Sequence, residues 1–142
     1  MLPPPNKDLS LVELPLRNLY TRAQTLIERI PQTGLGVVIV EGLRSPERQD
    51  ALYAQGRTVP GEKVTWSRRS SHETGKALDI GLTLNGDFLV GRTASDVELY
   101  RLFCFLLQRE APAGVHNLGL RLGRDYFHWQ VWDPFTSEQV QR

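Results

Sequence analysis

The sequence predicts a small single domain of the α+β class. Two segments carry apolar residues at helical spacing, a third has the start and stop signals of a helix, and the apolar runs between them are short enough to be strands. A chain of 142 residues with no internal repeat is long enough for one core. We therefore expect one domain over residues 15–135, preceded by an extended proline-rich arm over residues 1–14 and followed by a tail over residues 136–142. The first seven residues of the arm should be loosely held.

The three predicted helices have recognisable ends. The first, over residues 15–30, has a proline in its first turn and is ended by Pro31. The second, over residues 46–55, has Ser45 as its N-cap and is stopped by a glycine. The third runs from about residue 95 to residue 110 and carries an apolar face suited to packing on a sheet.

The predicted strands place polar residues at informative positions. Residues 37–40 are a continuous apolar run, typical of a central strand, and Arg44 follows its exit. Residues 75–82 alternate, and Asn85-Gly86 is a plausible hairpin turn after them. A last strand carries His128.

One aspartate lies inside the alternating strand. Leu78, Ile80 and Leu82 point to one side of that strand, while Asp79 points to the other. A carboxylate there is costly unless a metal, a cation or hydrogen-bond donors compensate it. Taken singly, Asp79 could be hydrogen-bonded at a bend, and His72 could be a turn or surface histidine. The joint pattern Ser-x-His-x-x-Gly-x-Ala-x-Asp, followed by Asp-x-x-His, instead favours a zinc site with two imidazoles, one carboxylate and an open position for water.

These motifs resemble those of a known family, and the resemblance extends from about Val37 to Gln130. The family is that of the zinc D-Ala-D-Ala carboxypeptidases and L-alanyl-D-glutamate endopeptidases, which shares the hedgehog/DD-peptidase fold. The segment Glu-Gly-Leu-Arg-Ser at residues 41–45 is similar to the Tyr-Arg-Ser turn of this family. The segment Gln-Gly-Arg-Thr at residues 55–58 is similar to the corresponding segment of the family's phage-endolysin branch. Two departures are Phe127, where a proline is usual, and a shortened loop before Asp125.

The resemblance implies a mostly antiparallel central sheet packed by helices and one zinc ion per chain. It makes His72, Asp79 and His128 the zinc ligands and Asp125 the residue that handles protons. Asp125 can serve only if the chain bends before His128, since residues three apart on a regular strand face opposite ways. The alternative for Asp125 is an exposed loop carboxylate.

Four further residues are candidates for the site. Arg44 would polarise the scissile carbonyl or anchor a substrate carboxylate, unless it forms a structural salt bridge with Glu41 or Asp50. Ser70 would form hydrogen bonds near the ligands or be a plain turn serine. Gln49 could face the cleft. Trp129 could form a wall of the cleft or pack in the apolar interior.

Composition narrows the function classes. A formal net charge of +1 argues against nucleic-acid binding, and no apolar run is long enough to span a membrane. The single cysteine, Cys104, lies in an apolar run and is expected to pack. The N-terminus lacks the features of a signal peptide, so we expect cytoplasmic synthesis and action on the cell wall after release. A cluster of basic residues near His72 could attract an anionic wall polymer or be a solvated surface; it comprises Arg57, Lys63, Arg68, Arg69 and Lys76.

Three functions stay open at this point. The first is a zinc peptidase that cuts the L-Ala–D-Glu bond of the peptidoglycan stem peptide, as a monomeric phage or prophage endolysin. The second is a D-Ala-D-Ala carboxypeptidase with the same metal site. The third is a non-catalytic zinc-fold module that only binds the wall; Asp125 beside all three ligands argues against it, because a pure binder has no need of a proton-transfer residue.

Overall fold

The computed structural model describes residues 2–131 and has four α-helices and five β-strands within them. The helices are α1 (Leu14–Glu28), α2 (Pro46–Ala54), α3 (Ala94–Glu110) and α4 (Leu118–Leu122). The strands are β1 (Leu35–Glu41), β2 (Ala77–Leu84), β3 (Asp87–Phe88), β4 (Val115–Asn117) and β5 (His128–Val131). The predicted tail over residues 136–142 lies outside the described residues.

All strand pairs in the sheet are antiparallel, and the strand order is β1-β2-β5-β4, with β3 pairing the end of β2. One face of this sheet carries Leu78, Ile80, Leu82 and Trp129, which pack with the buried faces of α1 and α3 into the core. The predicted α+β class and the alternation of the second strand are therefore confirmed. The opposite face carries Asp79 and His128.

The long helices and the hairpin follow the predicted signals closely. Ser45 caps α2 by accepting a hydrogen bond from the Arg48 backbone N–H at 3.1 Å. The cap of α3 is Thr93 rather than a residue near position 95, because the Thr93 hydroxyl accepts from the Asp96 N–H. Asn85 and Gly86 turn the chain between β2 and β3 with φ of 51° and 89°, as a two-residue hairpin requires.

Two short elements were not predicted. Strand β4 has three residues, too few to show alternation, and α4 has five, too few to show a helical period. Asn117 joins them, because it is the last residue of β4 and caps α4 through its side-chain oxygen, which accepts from the Leu120 N–H. The segment before Asp125 is thus compact and ordered rather than a bare loop.

The proline-rich arm is attached to the domain at several points, in contrast to the loose arm that the sequence predicts. The Asn6 carbonyl accepts a hydrogen bond from the Gly42 N–H at 2.7 Å, and the Pro3 carbonyl accepts from Arg48. Further along, the Glu13 N–H donates to the Gly75 carbonyl at 2.9 Å. These contacts satisfy backbone groups next to the strand β1 exit and next to the turn that carries His72.

The structure also bears on the environment of Cys104 and on membrane-spanning helices. Cys104 lies in the core, its thiol donates to the Tyr126 carbonyl, and burial raises its pKa, so packing is its role. Across residues 2–131, none of the helices combines the length and apolarity needed to cross a membrane.

Candidate metal centre

The fold brings His72, Asp79 and His128 together on the polar face of the sheet. One ligand atom from each residue lies within 4.8 Å of the other two, and all three side chains are buried. His72 Nε2 lies 3.2 Å from Asp79 Oδ1, and His128 Nδ1 lies 3.4 Å from the same oxygen. Two imidazoles and a carboxylate therefore converge on one point.

Strand register places two of these three residues. Asp79 on β2 lies directly opposite His128 on β5, so their side chains leave the same face of the sheet. The adjacent pair, Leu78 and Trp129, points to the other face and into the core. A slip of one residue would bury the polar pair in the core and expose the apolar pair, so core packing fixes this half of the site.

A short 3₁₀ turn, Ser71–Thr74, carries the third residue, His72. Ser70 caps the turn: its hydroxyl accepts from the His72 N–H at 3.2 Å, and its own N–H donates to the Glu73 carboxylate at 2.7 Å. Gly75 ends the turn with φ of 72°, and a Cβ there would lie 2.8 Å from the Leu11 carbonyl oxygen. Ser70 thus acts on the backbone that orients His72.

Hydrogen bonds on the outer side of each ring fix which nitrogen faces Asp79. His72 Nδ1 lies 2.8 Å from the Gly42 carbonyl, which can only accept, so Nδ1 carries the proton and Nε2 carries a lone pair. His128 Nε2 lies 2.8 Å from Gln130 Oε1, which leaves a lone pair on Nδ1. Both lone pairs point towards the Asp79 carboxylate.

Three acceptors that face one another require a cation between them. Protonation of His72 would supply one, but burial lowers the pKa of His72, and this effect outweighs the opposing influence of Asp79. Neutral imidazoles with outer hydrogen bonds and an ionised carboxylate are the ligand set and supporting shell that Zn²⁺ takes. The residues present therefore fit a zinc ion.

Arg44 lies next to the ligands and is held in a buried ion pair. Its Nη2 donates to Glu41 Oε1 at 2.7 Å, its Nη1 donates to Gln49 Oε1 at 2.8 Å, and its backbone N–H donates to the His72 carbonyl. Burial raises the pKa of Glu41, but hydrogen bonds from Arg44 and Arg48 outweigh it and leave that pKa below its ordinary value. Arg44 thus forms the salt bridge weighed as its alternative role, with Glu41 as the partner.

Gln49 and Trp129 are both fully buried. The Gln49 amide accepts from Arg44 and donates to the Ser67 carbonyl at 2.8 Å, so both of its ends are used inside the protein. Trp129 packs in the core on the face of the sheet that points away from His128. Contact of either side chain with a substrate would require the surrounding structure to open.

Asp125 lies at the bend that its proposed role requires. Its φ is 67°, and its carbonyl accepts a hydrogen bond from the His128 N–H at 3.2 Å, which closes a turn immediately before β5. The residue is half-buried and lines a cavity of about 320 Å³ together with Val90, Tyr100 and Phe127.

Sequence reasoning missed the two outer partners of the histidines. Gln130 lies two residues after His128 on the same strand, so alternation alone puts both side chains on one face and could have revealed it. Gly42 acts through its carbonyl, and no side-chain pattern signals that.

Comparison with known proteins agrees with the predicted resemblance. No protein-family model matches the chain. A stretch of 51 residues is 51% identical to the peptidoglycan L-alanyl-D-glutamate endopeptidase CwlK of Bacillus subtilis (strain 168), and it covers 34% of this chain and 30% of that protein. The fold matches the Serratia marcescens L-Ala D-Glu endopeptidase ChiX with a TM-score of 0.62 at 22% identity, over 87% of this chain and 83% of that one.

The family resemblance is confirmed. The chain has the fold of ChiX, and its local identity to CwlK is far above chance, although the match spans less than a third of CwlK. The structure of VanYB in complex with D-alanine-D-alanine is less similar, with a TM-score of 0.48 at 17% identity over 86% of this chain and 72% of that one.

Proposed function

We propose that this chain is a zinc-dependent peptidoglycan peptidase that hydrolyses the L-Ala–D-Glu bond of the stem peptide. The observation that carries the proposal is the convergence of His72 Nε2, His128 Nδ1 and the Asp79 carboxylate, three buried acceptors that need a cation. The choice of bond is supported by the names of CwlK and ChiX, both of which are L-Ala–D-Glu endopeptidases.

Asp79, His72 and His128 would hold the zinc, which when bound lowers the pKa of a coordinated water to about 7 and polarises the scissile carbonyl. The outer hydrogen bonds to Gly42 and Gln130 fix the tautomer and orientation of both imidazoles, so that each ring presents a lone pair to the metal. Because the sheet and the turn fix these groups before substrate arrives, little reorganisation is needed at the moment of reaction.

Asp125 would serve as the general base and then as the general acid. Its turn directly precedes His128, which suits a group that takes a proton from the attacking water. It would return that proton to the amino group of D-Glu as the peptide bond breaks, while the L-Ala carbonyl becomes a carboxylate.

Arg44 is buried beside His72 and would supply positive charge near the carbonyl oxygen, with direct contact requiring the surrounding structure to open. Each of its terminal nitrogens has a second N–H beyond the one used for Glu41 or Gln49, so the ion pair holds the guanidinium in place without using all of its donors. Glu41 and Gln49 are then positioning residues for Arg44.

Digestion of defined muropeptides, followed by mass spectrometry of the products, tests this function. We expect a newly freed D-Glu amine, loss of the activity in a chelator and its return with added zinc. Release of D-Ala from the stem terminus would instead show a D-Ala-D-Ala carboxypeptidase. Binding of wall without any cleavage would show a non-catalytic module.

The setting of the activity is a further part of the proposal. The Gln-Gly-Arg-Thr segment at residues 55–58 supports a phage or prophage endolysin that acts as a monomer on the wall after its release. Residues 15–135 would form the peptidase domain.

A further inference from the structure

The loop between α2 and the His72 turn carries a surface that the proposed chemistry does not use. We call it the cationic patch and define it as Tyr53, Arg57, Lys63, Trp66 and Arg68. Trp66 is 60% exposed, and Lys63 and Arg68 are exposed as well. A cleft of about 430 Å³ opens between Tyr53, Arg57 and Arg68.

The aromatic rings of the cationic patch hold its positive charges in place. The Arg57 guanidinium lies 3.8 Å from the centre of the Tyr53 ring, and that of Arg68 lies 5.4 Å from the same centre. Lys63 Nζ lies 5.3 Å from the centre of the Trp66 ring, and Arg57 lies 5.9 Å from it. Such contacts orient the cations without neutralising them.

The carboxylates of the described residues, 2–131, form no ion pairs with Arg57, Lys63 or Arg68, although Asp50 borders the same cleft and Glu62 precedes Lys63. Asp50 pairs with Arg69 instead. The pKa of Tyr53 is lowered, first by a hydrogen bond from Arg68 and then by the charge of Arg57, as expected in a positive local field.

Two exposed arginines outside the cationic patch do pair with acids. Arg29 lies 2.9 Å from Glu110, and Arg101 lies 2.8 Å from Glu98. The cationic patch is distinguished by three cations that lie close together and are fixed by the Tyr53 and Trp66 rings. Arg57 donates to the Tyr53 and Thr65 carbonyls and is held in place, while the exposed Lys63 and Arg68 are accessible to an anionic ligand.

We propose that the cationic patch binds a linear polymer of phosphodiesters, such as an anionic wall polymer, and so holds the protein on the wall. Arginine and lysine together are the usual partners of a phosphate backbone, and three fixed cations suit repeated charges along one chain. A nucleic acid fits less well, because bases would need open ring faces and the cations already lie over these rings. The wall source of the polymer rests on the proposed function, whereas the binding of phosphodiesters does not.

The cationic patch is also linked to the metal centre. The Ser67 carbonyl, between Trp66 and Arg68, accepts from Gln49, and Gln49 accepts from Arg44 beside His72. A polymer held on the patch would therefore keep the metal centre close to the wall while stem peptides exchange.

Titration calorimetry of the zinc-loaded full chain with soluble poly(glycerol phosphate) tests the proposal. The double variant Lys63→Gln with Arg68→Gln should bind at least 10-fold more weakly. The control double variant Arg29→Gln with Arg101→Gln loses the same net charge outside the patch and should bind as the parent does. The logarithm of the association constant should fall with the logarithm of the salt concentration. We expect a slope of about −3 for the parent and about −1 for the patch variant, at roughly one unit per phosphate contact.

Several results would overturn the proposal. They include failure of the parent protein to bind poly(glycerol phosphate) and an equal loss of affinity for it in both double variants. Binding of poly-glutamate or single-stranded DNA as tightly as poly(glycerol phosphate), or more tightly, would also overturn it. Unchanged zinc content in the patch variant shows that it is folded, and Trp66→Phe should retain binding that Trp66→Ala reduces. A parent that binds the polymer but cleaves no stem peptide would keep this inference and remove the proposed function.

Discussion

The two halves of the metal centre are built by different means. Asp79 and His128 lie on paired strands, where the register that buries Leu78 and Trp129 also sets the two ligands. His72 lies on a four-residue 3₁₀ turn whose geometry depends on a capping serine and a few hydrogen bonds. We call the pair of Asp79 and His128 the strand half and the turn that carries His72 the turn half. Packing of the whole core stabilises the strand half, whereas the turn half is stabilised by hydrogen bonds that contribute about 1 kcal/mol each.

The outer partners of the two histidines differ in the same way. Gln130, which accepts from His128, lies on the same strand and is itself buried. Gly42, which accepts from His72, is a loop residue whose own N–H donates to the Asn6 carbonyl of the N-terminal arm. The turn half thus depends on a part of the chain that lies far from the motif in sequence.

The largest expected effect is on the strand half. Asp79→Asn keeps the shape of the side chain but removes the charge that balances a divalent ion. We expect zinc affinity to fall by more than the roughly 100-fold that outer partners can contribute, and activity to be lost. Without metal, the variant should melt higher than the metal-free parent, because an amide N–H can donate to a facing imidazole.

Zinc analysis and thermal melts of Asp79→Asn check this, with Asp87→Asn on the exposed hairpin as the matched control. Stoichiometric zinc in Asp79→Asn would show that the carboxylate is not a ligand.

The second effect separates chemistry from metal binding. Asp125 has φ of 67°, where asparagine is tolerated better than alanine, so Asp125→Asn tests the carboxylate with less backbone strain. We expect the zinc to stay and kcat to fall by about 10²- to 10⁴-fold, the contribution of a positioned acid–base group. Stem-peptide kinetics at saturating zinc measure it, and loss of zinc would make Asp125 a ligand or a support.

How far the sequence predicts this site depends on how local each feature is. The three candidate ligands follow from residue types at fixed spacings, and their convergence follows from an alternating strand paired with a second one. The bend at Asp125 could only be stated as a requirement, because its left-handed backbone comes from a turn between α4 and β5. Alternation along β5 puts Gln130 on the same face as His128.

Other features depend on contacts between distant segments and leave no local pattern. Glu41 and Asp50 were the two partners weighed for Arg44, and the ion pair forms with Glu41, at the end of β1 where the register shifts. Whether Gln49 and Trp129 face a cleft or the interior depends on which elements pack over them. The attachment of the arm depends on main-chain groups, for which the proline-rich composition is uninformative.

A smaller effect should come from the outer partner of the strand half. Gln130→Leu removes the acceptor that fixes the His128 tautomer and leaves the Nε2 proton without a partner in a buried site. We expect zinc affinity to fall by about 10- to 100-fold and activity to recover when zinc is raised. Competition with a chelator measures the affinity, with exposed Gln32→Leu as the control. Unchanged affinity would show that the strand alone holds the ring.

The smallest effect should come from the cap of the turn half. Ser70→Ala removes the hydroxyl that accepts from the His72 N–H, a loss of about 1 kcal/mol for a cap and thus about 5-fold in zinc affinity. Because the ligands themselves are intact, kcat at saturating zinc should match that of the parent. Ser70→Asn supplies another capping oxygen and should restore most of the affinity. A loss in Ser70→Ala greater than that in Gln130→Leu would reverse the comparison, since the turn rather than the strand pair would then be the more sensitive half of the metal centre.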